Sequence, residues 1–283
     1  MRDALLSVKT PCYVVDEGRL IRNLTILAEV ARQSGCKILL AQKAFSMFAV
    51  YPLIGQYLDG TTASGLFEAR LGHEAMGKEN HVFSAAYAES EFDEILSLCD
   101  HVSFNSFSQW ERYRERALGA GRSCGIRVNP QHSTQGHGIY DPCAEFSRLG
   151  VTRENFRPEL LDGIEGLHFH TLCEQNSDAL SETLDAVEAQ FGEFLPRMKW
   201  VNFGGGHHIT RPDYDRRTLI DCILRIQDRY SVQVYLEPGE AVAYHAGYLA
   251  ASVLDVVSNG MEIAVLDTSA ACHMPDVLEM PYR

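Results

Sequence analysis

Eight short apolar runs of β type recur along this chain, at residues 37–42, 60–64, 81–85, 101–105, 124–129, 166–170, 200–204 and 232–237. Between them, segments such as 177–194 and 213–230 carry apolar residues at the three- and four-residue spacing of a helix. Strands that alternate with helices pair in parallel, because each return needs a crossover. Eight is the number that closes a (β/α)8, TIM-like barrel, and 283 residues hold one such barrel of ~250 residues plus a small appendage. The rival is a doubly wound open sheet. It is disfavoured because no GxGxxG follows an early strand and because chemically able residues sit at nearly every strand end rather than at one switch point.

A helix over residues 17–35 precedes the first barrel strand, with Gly35 as its stop. After the eighth run the pattern changes. Residues 248–257 and 263–268 are β-type runs joined by Ser258-Asn259-Gly260, a hairpin signal. The expected organisation is therefore a barrel with its N-terminal segment over 1–240, and over 241–283 the start of a C-terminal β-domain. That second domain reads as incomplete, since too few strands remain to close an independent sheet.

No run approaches the ~18 apolar residues of a membrane span, and the first residues lack the basic-then-apolar layout of a signal peptide. The formal charge of −13 argues against a nucleic-acid partner, which requires a basic face. The eight cysteines are scattered without a CxxC pair, as expected of reduced thiols in a cytoplasmic protein.

The chemistry gathers at the strand ends. Lys43 follows Ile38-Leu39-Leu40-Ala41-Gln42; it reads either as a surface lysine or as an amine made reactive by a desolvated barrel mouth. Gly204-Gly205-Gly206 follows the seventh run, where barrels often bind phosphate; one glycine would suffice for a plain turn. Glu237 ends the eighth run, and a carboxylate there needs a positive partner, either a protonated heterocycle or a cation such as Arg127. His168 and His170 lie on one side of the sixth run. They read either as a pair of metal ligands in a barrel hydrolase or as one histidine stacked on a flat cofactor beside one in the packing.

Taken together, LLAQKAFSM, DGTTASGLFEARLG, FNSFSQWER, GLHFHTLCEQNSDAL, KWVNFGGGHHIT, YLEPGEAVA and LDTSAACHMPDVLEMPYR resemble the fold-type III pyridoxal-phosphate decarboxylases, and within them the carboxynorspermidine (carboxyspermidine) branch. The resemblance covers essentially the whole chain. It implies pyridoxal 5'-phosphate as cofactor, decarboxylation of carboxynorspermidine or carboxyspermidine in polyamine biosynthesis, and a homodimer. It implies Lys43 as the Schiff-base lysine, His170 stacked on the ring, Gly204, Gly205 and Gly206 at the phosphate and Glu237 at the ring nitrogen, with Ser64, Glu68 and Arg127 near the cofactor. The stretches from Cys173 to Asn176 and from Asp267 to Glu279 are expected around the substrate, with Glu174, Asp276 and Glu279 as candidates to meet its ammonium groups.

Two departures accompany the resemblance. Glu240 follows EPG where many relatives place an arginine at the phosphate, and a carboxylate cannot take that role. Family members also continue into a longer C-terminal domain that contributes an active-site cysteine, and Cys272 is not at the matching position. An alternative expectation is thus a cofactor-binding protein whose catalysis is impaired.

Overall fold

The computed structural model describes residues 7–136 and 138–279. Eight strands close a parallel barrel: β2 (Lys37–Ala41), β3 (Gly60–Ala63), β4 (Glu79–Phe83), β5 (His101–Phe104), β6 (Ser123–Arg127), β7 (Ile164–His168), β8 (Trp200–Asn202) and β9 (Gln233–Leu236). Neighbours pair in chain order, and β2 closes on β9 with Lys37 opposite Tyr235. Every run expected to be a barrel strand is one, with ends displaced by up to two residues.

The helices between strands bury apolar faces. Arg216–Tyr230 buries Leu219, Ile220, Cys222, Ile223 and Ile226, at the spacing that one helical side allows. Its start is fixed by Asp215, whose carboxylate accepts from the Arg217 and Thr218 N–H groups. Ser177–Phe191 is capped by Gly192, so its last helical residue falls three residues short of the expected stop. Among the described residues no helix is long and apolar enough to cross a membrane.

Alternation within each strand decides what fills the barrel. The outward residues Ile38, Leu40, Val102, Ile126, Leu167 and Val234 are buried apolar groups. The inward ones are unusually polar. At the N-terminal end of the barrel, Glu79 is gripped by Lys37 Nζ at 2.6 Å, His81 Nε2 at 2.8 Å and the Tyr235 hydroxyl at 2.8 Å. His101 stacks on His81 with ring centroids 4.0 Å apart. Lys37, His81 and Tyr235 satisfy Glu79, which is what lets its charge stay inside a barrel, while His101 Nδ1 is left without a partner. Above them lies the Trp200 indole, over two glycines. A Cβ at Gly166 would fall 2.1 Å from Trp200 Cδ2, and one at Gly125 would fall 2.3 Å from Trp200 Cη2. Glycine at both positions is therefore the steric counterpart of tryptophan at position 200.

The chain divides into two compact units. Arg22–Tyr244 is the barrel unit; the described part of the other is residues 7–21 and 245–279. The N-terminal segment, expected with the barrel, instead pairs β1 (Cys12–Val15) antiparallel with β10 (Gly247–Ala250). The apolar run expected over 248–257 is two strands, β10 and β11 (Val253–Ser258), because its halves pair with different partners. β11 forms the expected hairpin with β12 (Glu262–Leu266), turning at Gly260 with φ 71°.

Candidate active site

The C-terminal ends of the barrel strands hold two cavities of about 40 and 220 Å³ that share Ala41, Lys43, His170, Gly205 and Glu237. Lys43 lies two residues past β2, not on it. Its side chain is solvent-exposed at the cavity. The protein packed about the cavity still desolvates it enough to pull its ammonium pKa below the ordinary value, with Glu237 opposing and Arg127 reinforcing the shift. An amine so placed is more often neutral, hence a better nucleophile.

Glu237 directly follows β9 and is buried. Its Oε1 accepts from Asn202 Nδ2 at 2.7 Å, and its Oε2 lies 3.7 Å from His168 Nε2. Burial opposes its ionisation, but His168, the Asn202 amide and the Thr62 hydroxyl outweigh burial and keep its carboxyl below the usual range. Asn202 was invisible as a site residue in the sequence. Its only signal is that it sits two positions after Trp200 and so faces inward. It works twice, because its Oδ1 also accepts from the Gly204 N–H at 2.8 Å.

His168 belongs to β7 and His170 lies two residues beyond it; both line the smaller cavity. Burial lowers the pKa of His168 to about 4, and neither of its ring nitrogens has a hydrogen-bond partner. His170 is likewise held well below its ordinary value, by burial and then by the neighbouring Lys43 and Arg127. Its Nδ1 accepts from the Gly205 N–H at 2.7 Å, which leaves the proton on Nε2. Arg127 is buried, donates from Nη2 to the His170 carbonyl at 3.1 Å and stacks 4.5 Å above the Phe83 ring. Burial brings its guanidinium down to about 10. It forms no ion pair with Glu237, whose ion-pair partner among the described residues is instead His168, at 3.7 Å.

The glycine triplet has steric reasons of its own. Gly204 and Gly206 adopt φ 71° and 82°, and a Cβ on Gly206 would lie 2.1 Å from the Leu172 carbonyl oxygen. Two of its N–H groups are already engaged, Gly204 on Asn202 and Gly205 on His170. Ser64 lines the smaller cavity, and its N–H donates to Glu68 Oε2 at 2.7 Å. Glu174 and Cys173 line the larger cavity, as do His208 and Glu240. Asp276 and Glu279 open and close a short exposed helix of the other unit, and Cys272 is exposed there too.

Among the described residues, two groups could gather three metal ligands: Glu79, His81 and His101, and Glu174, His208 and Glu240. Neither includes His168 or His170, so the metal-hydrolase reading of that pair finds no ligand set.

No protein-family model matches the chain. Curated proteins do. It is 46% identical over 275 residues to a carboxynorspermidine/carboxyspermidine decarboxylase of Campylobacter jejuni, covering 97% of this chain and 72% of that one. It is 39% identical over 281 residues to a carboxyaminopropylagmatine decarboxylase of Synechocystis, covering 99% and 73%. Among solved structures, carboxynorspermidine decarboxylase from Campylobacter jejuni complexed with norspermidine superposes with a TM-score of 0.91 at 45% identity, over 97% of this chain and 72% of that one. Diaminopimelate decarboxylase from Helicobacter pylori shares the fold, with a TM-score of 0.81 at 16% identity over 98% and 75%. The chain belongs to the carboxynorspermidine/carboxyspermidine decarboxylase family.

Proposed function

We propose that this enzyme releases the carboxylate of carboxynorspermidine or carboxyspermidine as carbon dioxide, with pyridoxal 5'-phosphate held at Lys43. One juxtaposition carries the reading: a desolvated lysine, a neutral imidazole and a buried carboxylate without a strong cationic partner meet around one cavity. Each residue fits a part of that cofactor. Lys43 offers an amine for its aldehyde carbon, and the half-buried His170 offers a ring face fixed by the Gly205 N–H. Glu237 offers an anion for a protonated ring nitrogen and resolves its own shortage of positive charge in doing so.

The chemistry supplied by the bound cofactor is an electron sink for the pair released as the carboxylate leaves. The chain's own work is positional and electrostatic. Asn202 and Thr62 hold the Glu237 carboxylate in its ionised form, so that it keeps a proton on the nitrogen facing it. Gly205 and Gly206 line the cavity and would present backbone to the phosphate, while Gly204 fixes the turn through Asn202. Ser64 and Arg127 complete the cofactor's surroundings. Glu174 is the carboxylate placed to meet a cationic chain entering the larger cavity. Asp276 and Glu279 remain candidates for substrate contact on the family resemblance alone.

The Campylobacter relative is solved with norspermidine, which supports a polyamine product. We read the enzyme as a cytoplasmic homodimer. Its free cysteines suit a reducing compartment, and the dimer rests on the resemblance. Carbon dioxide release from carboxynorspermidine by the purified protein with added pyridoxal phosphate tests the activity. The expected result is saturable release that Lys43→Ala abolishes; no release from the unaltered protein would refute the proposal.

A further inference from the structure

Arg127, His168 and Asn202 form one row at the upper end of the barrel, standing opposite one another on β6, β7 and β8, and all three are buried. Arg127 holds the His170 carbonyl, and Asn202 holds Glu237 and Gly204. His168, between them, is 2% exposed, and neither of its ring nitrogens makes a hydrogen bond. Its Nε2 lies 3.7 Å from Glu237 Oε2, and its ring meets Phe83 edge-on at 5.3 Å. An unpaired imidazole in the interior carries a desolvation cost that a leucine of similar volume would not. Histidine is therefore a poor choice here as plain filling.

The surroundings set its charge. Burial, Arg127 on β6, Lys43 after β2 and His81 on β4 all oppose a second proton on His168, against Glu237, which favours one. At neutral pH the ring is therefore uncharged, with one N–H and one bare nitrogen. Glu237 is held in its ionised form. A bare Nε2 would set its lone pair against Oε2, so the proton belongs on Nε2. At 3.7 Å that N–H falls short of a hydrogen bond, and about 0.7 Å of closure completes one. Oε1 already accepts from Asn202, so Oε2 is where a further donor acts. We propose that His168 is a positioning residue for Glu237: with cofactor bound, its Nε2–H closes on Oε2, steadies the carboxylate as an anion and keeps the proton on the ring nitrogen rather than on Glu237. This rests on reading the cavity as a pyridoxal-phosphate site. One hydrogen bond to a charged acceptor shifts the partition of such a proton about ten- to a hundredfold.

The test compares His168→Leu, which removes the donor, with His168→Gln, whose amide N–H takes the place of Nε2–H. His168→Asn, with an amide too short to reach Oε2, is a second donor-free form should the leucine one not fold. Each is reconstituted with pyridoxal phosphate carrying a heavy-nitrogen label in its ring, and nuclear magnetic resonance at neutral pH reads where the proton sits. In the donor-free forms the ring-nitrogen signal should move from the pyridinium toward the neutral-pyridine position. Their kcat for carboxynorspermidine should fall about ten- to a hundredfold, with KM moved less. His168→Gln should restore both toward the unaltered protein, and in a Glu237→Gln background His168→Leu should change neither further. An unmoved signal in the donor-free forms would overturn the role, as would equal losses in the donor-free and glutamine forms, which mark a packing defect. If the unaltered protein binds the labelled cofactor and releases carbon dioxide while the variants match it, the role of His168 alone falls. If the unaltered protein does neither, the functional reading falls and takes the role with it.

Discussion

Replacing Asn202 by leucine is expected to destabilise the barrel by about 3–5 kcal/mol. The residue is 1% exposed and makes two internal hydrogen bonds, to Glu237 Oε1 at 2.7 Å and from the Gly204 N–H at 2.8 Å. The first is a bond to a charged group, worth about 1.5–3 kcal/mol; losing the second strands a buried donor, at about 1–3 kcal/mol. Leucine has a similar volume, so the cavity contribution stays small and the polar loss dominates. Urea unfolding at pH 7 measures the difference. A second signature follows from the sign of the Glu237 shift. Its folded pKa lies below the unfolded one, so its contribution is present above the unfolded value of about 4.5 and is lost as pH falls through the folded value. Without Asn202 that depression shrinks, and the gap between unaltered protein and variant should narrow as the pH drops below about 4.5. A loss under about 1 kcal/mol, or a gap that ignores pH, would show that Asn202 does not hold this carboxylate.

Acid should unfold the protein through its histidines as well as its carboxylates. His168 and His207 are buried with pKa values lowered to about 4, so the unfolded chain binds more protons below about pH 6.5 and stability rises with pH up to there. Each adds a slope of about 1.4 kcal/mol per pH unit between roughly pH 4.5 and 6; a flat urea midpoint across that interval would contradict their neutral burial. Glu237→Gln should retain pyridoxal phosphate yet slow decarboxylation more than about tenfold, since the ring nitrogen loses its anionic partner; an unaltered kcat would remove that role. Gly166→Ala drives a methyl into Trp200 and should cost about 1–3 kcal/mol or prevent folding, whereas a neutral result would mean that the indole has room to move.

The barrel was legible because each strand is an apolar run bounded by polar or glycine residues, and the strands' number and alternation with helices admit few topologies. Lys43, His170, the glycine triplet and Glu237 were legible because they stand where such runs stop. Asn202 was not, since one polar residue inside Trp200-Val201-Asn202 reads as a strand end until the partner across the barrel is known. The split of the 248–257 run at Ala251-Ser252 was hidden for a related reason. Strand propensity marks extended backbone without saying which edge it pairs with, and β10 and β11 pair with different strands. His208 and Glu240 share a cavity wall through long-range loop placement that no local pattern encodes.

The proposed chemistry depends on Lys43 as the amine that holds pyridoxal phosphate. Incubating the protein with the cofactor, reducing with borohydride and mapping the modified peptide by mass spectrometry tests it most directly. The expected result is one pyridoxyl group, on Lys43, absent from Lys43→Ala. A label on another lysine with Lys43 unmodified, or no label at saturating cofactor, would contradict it.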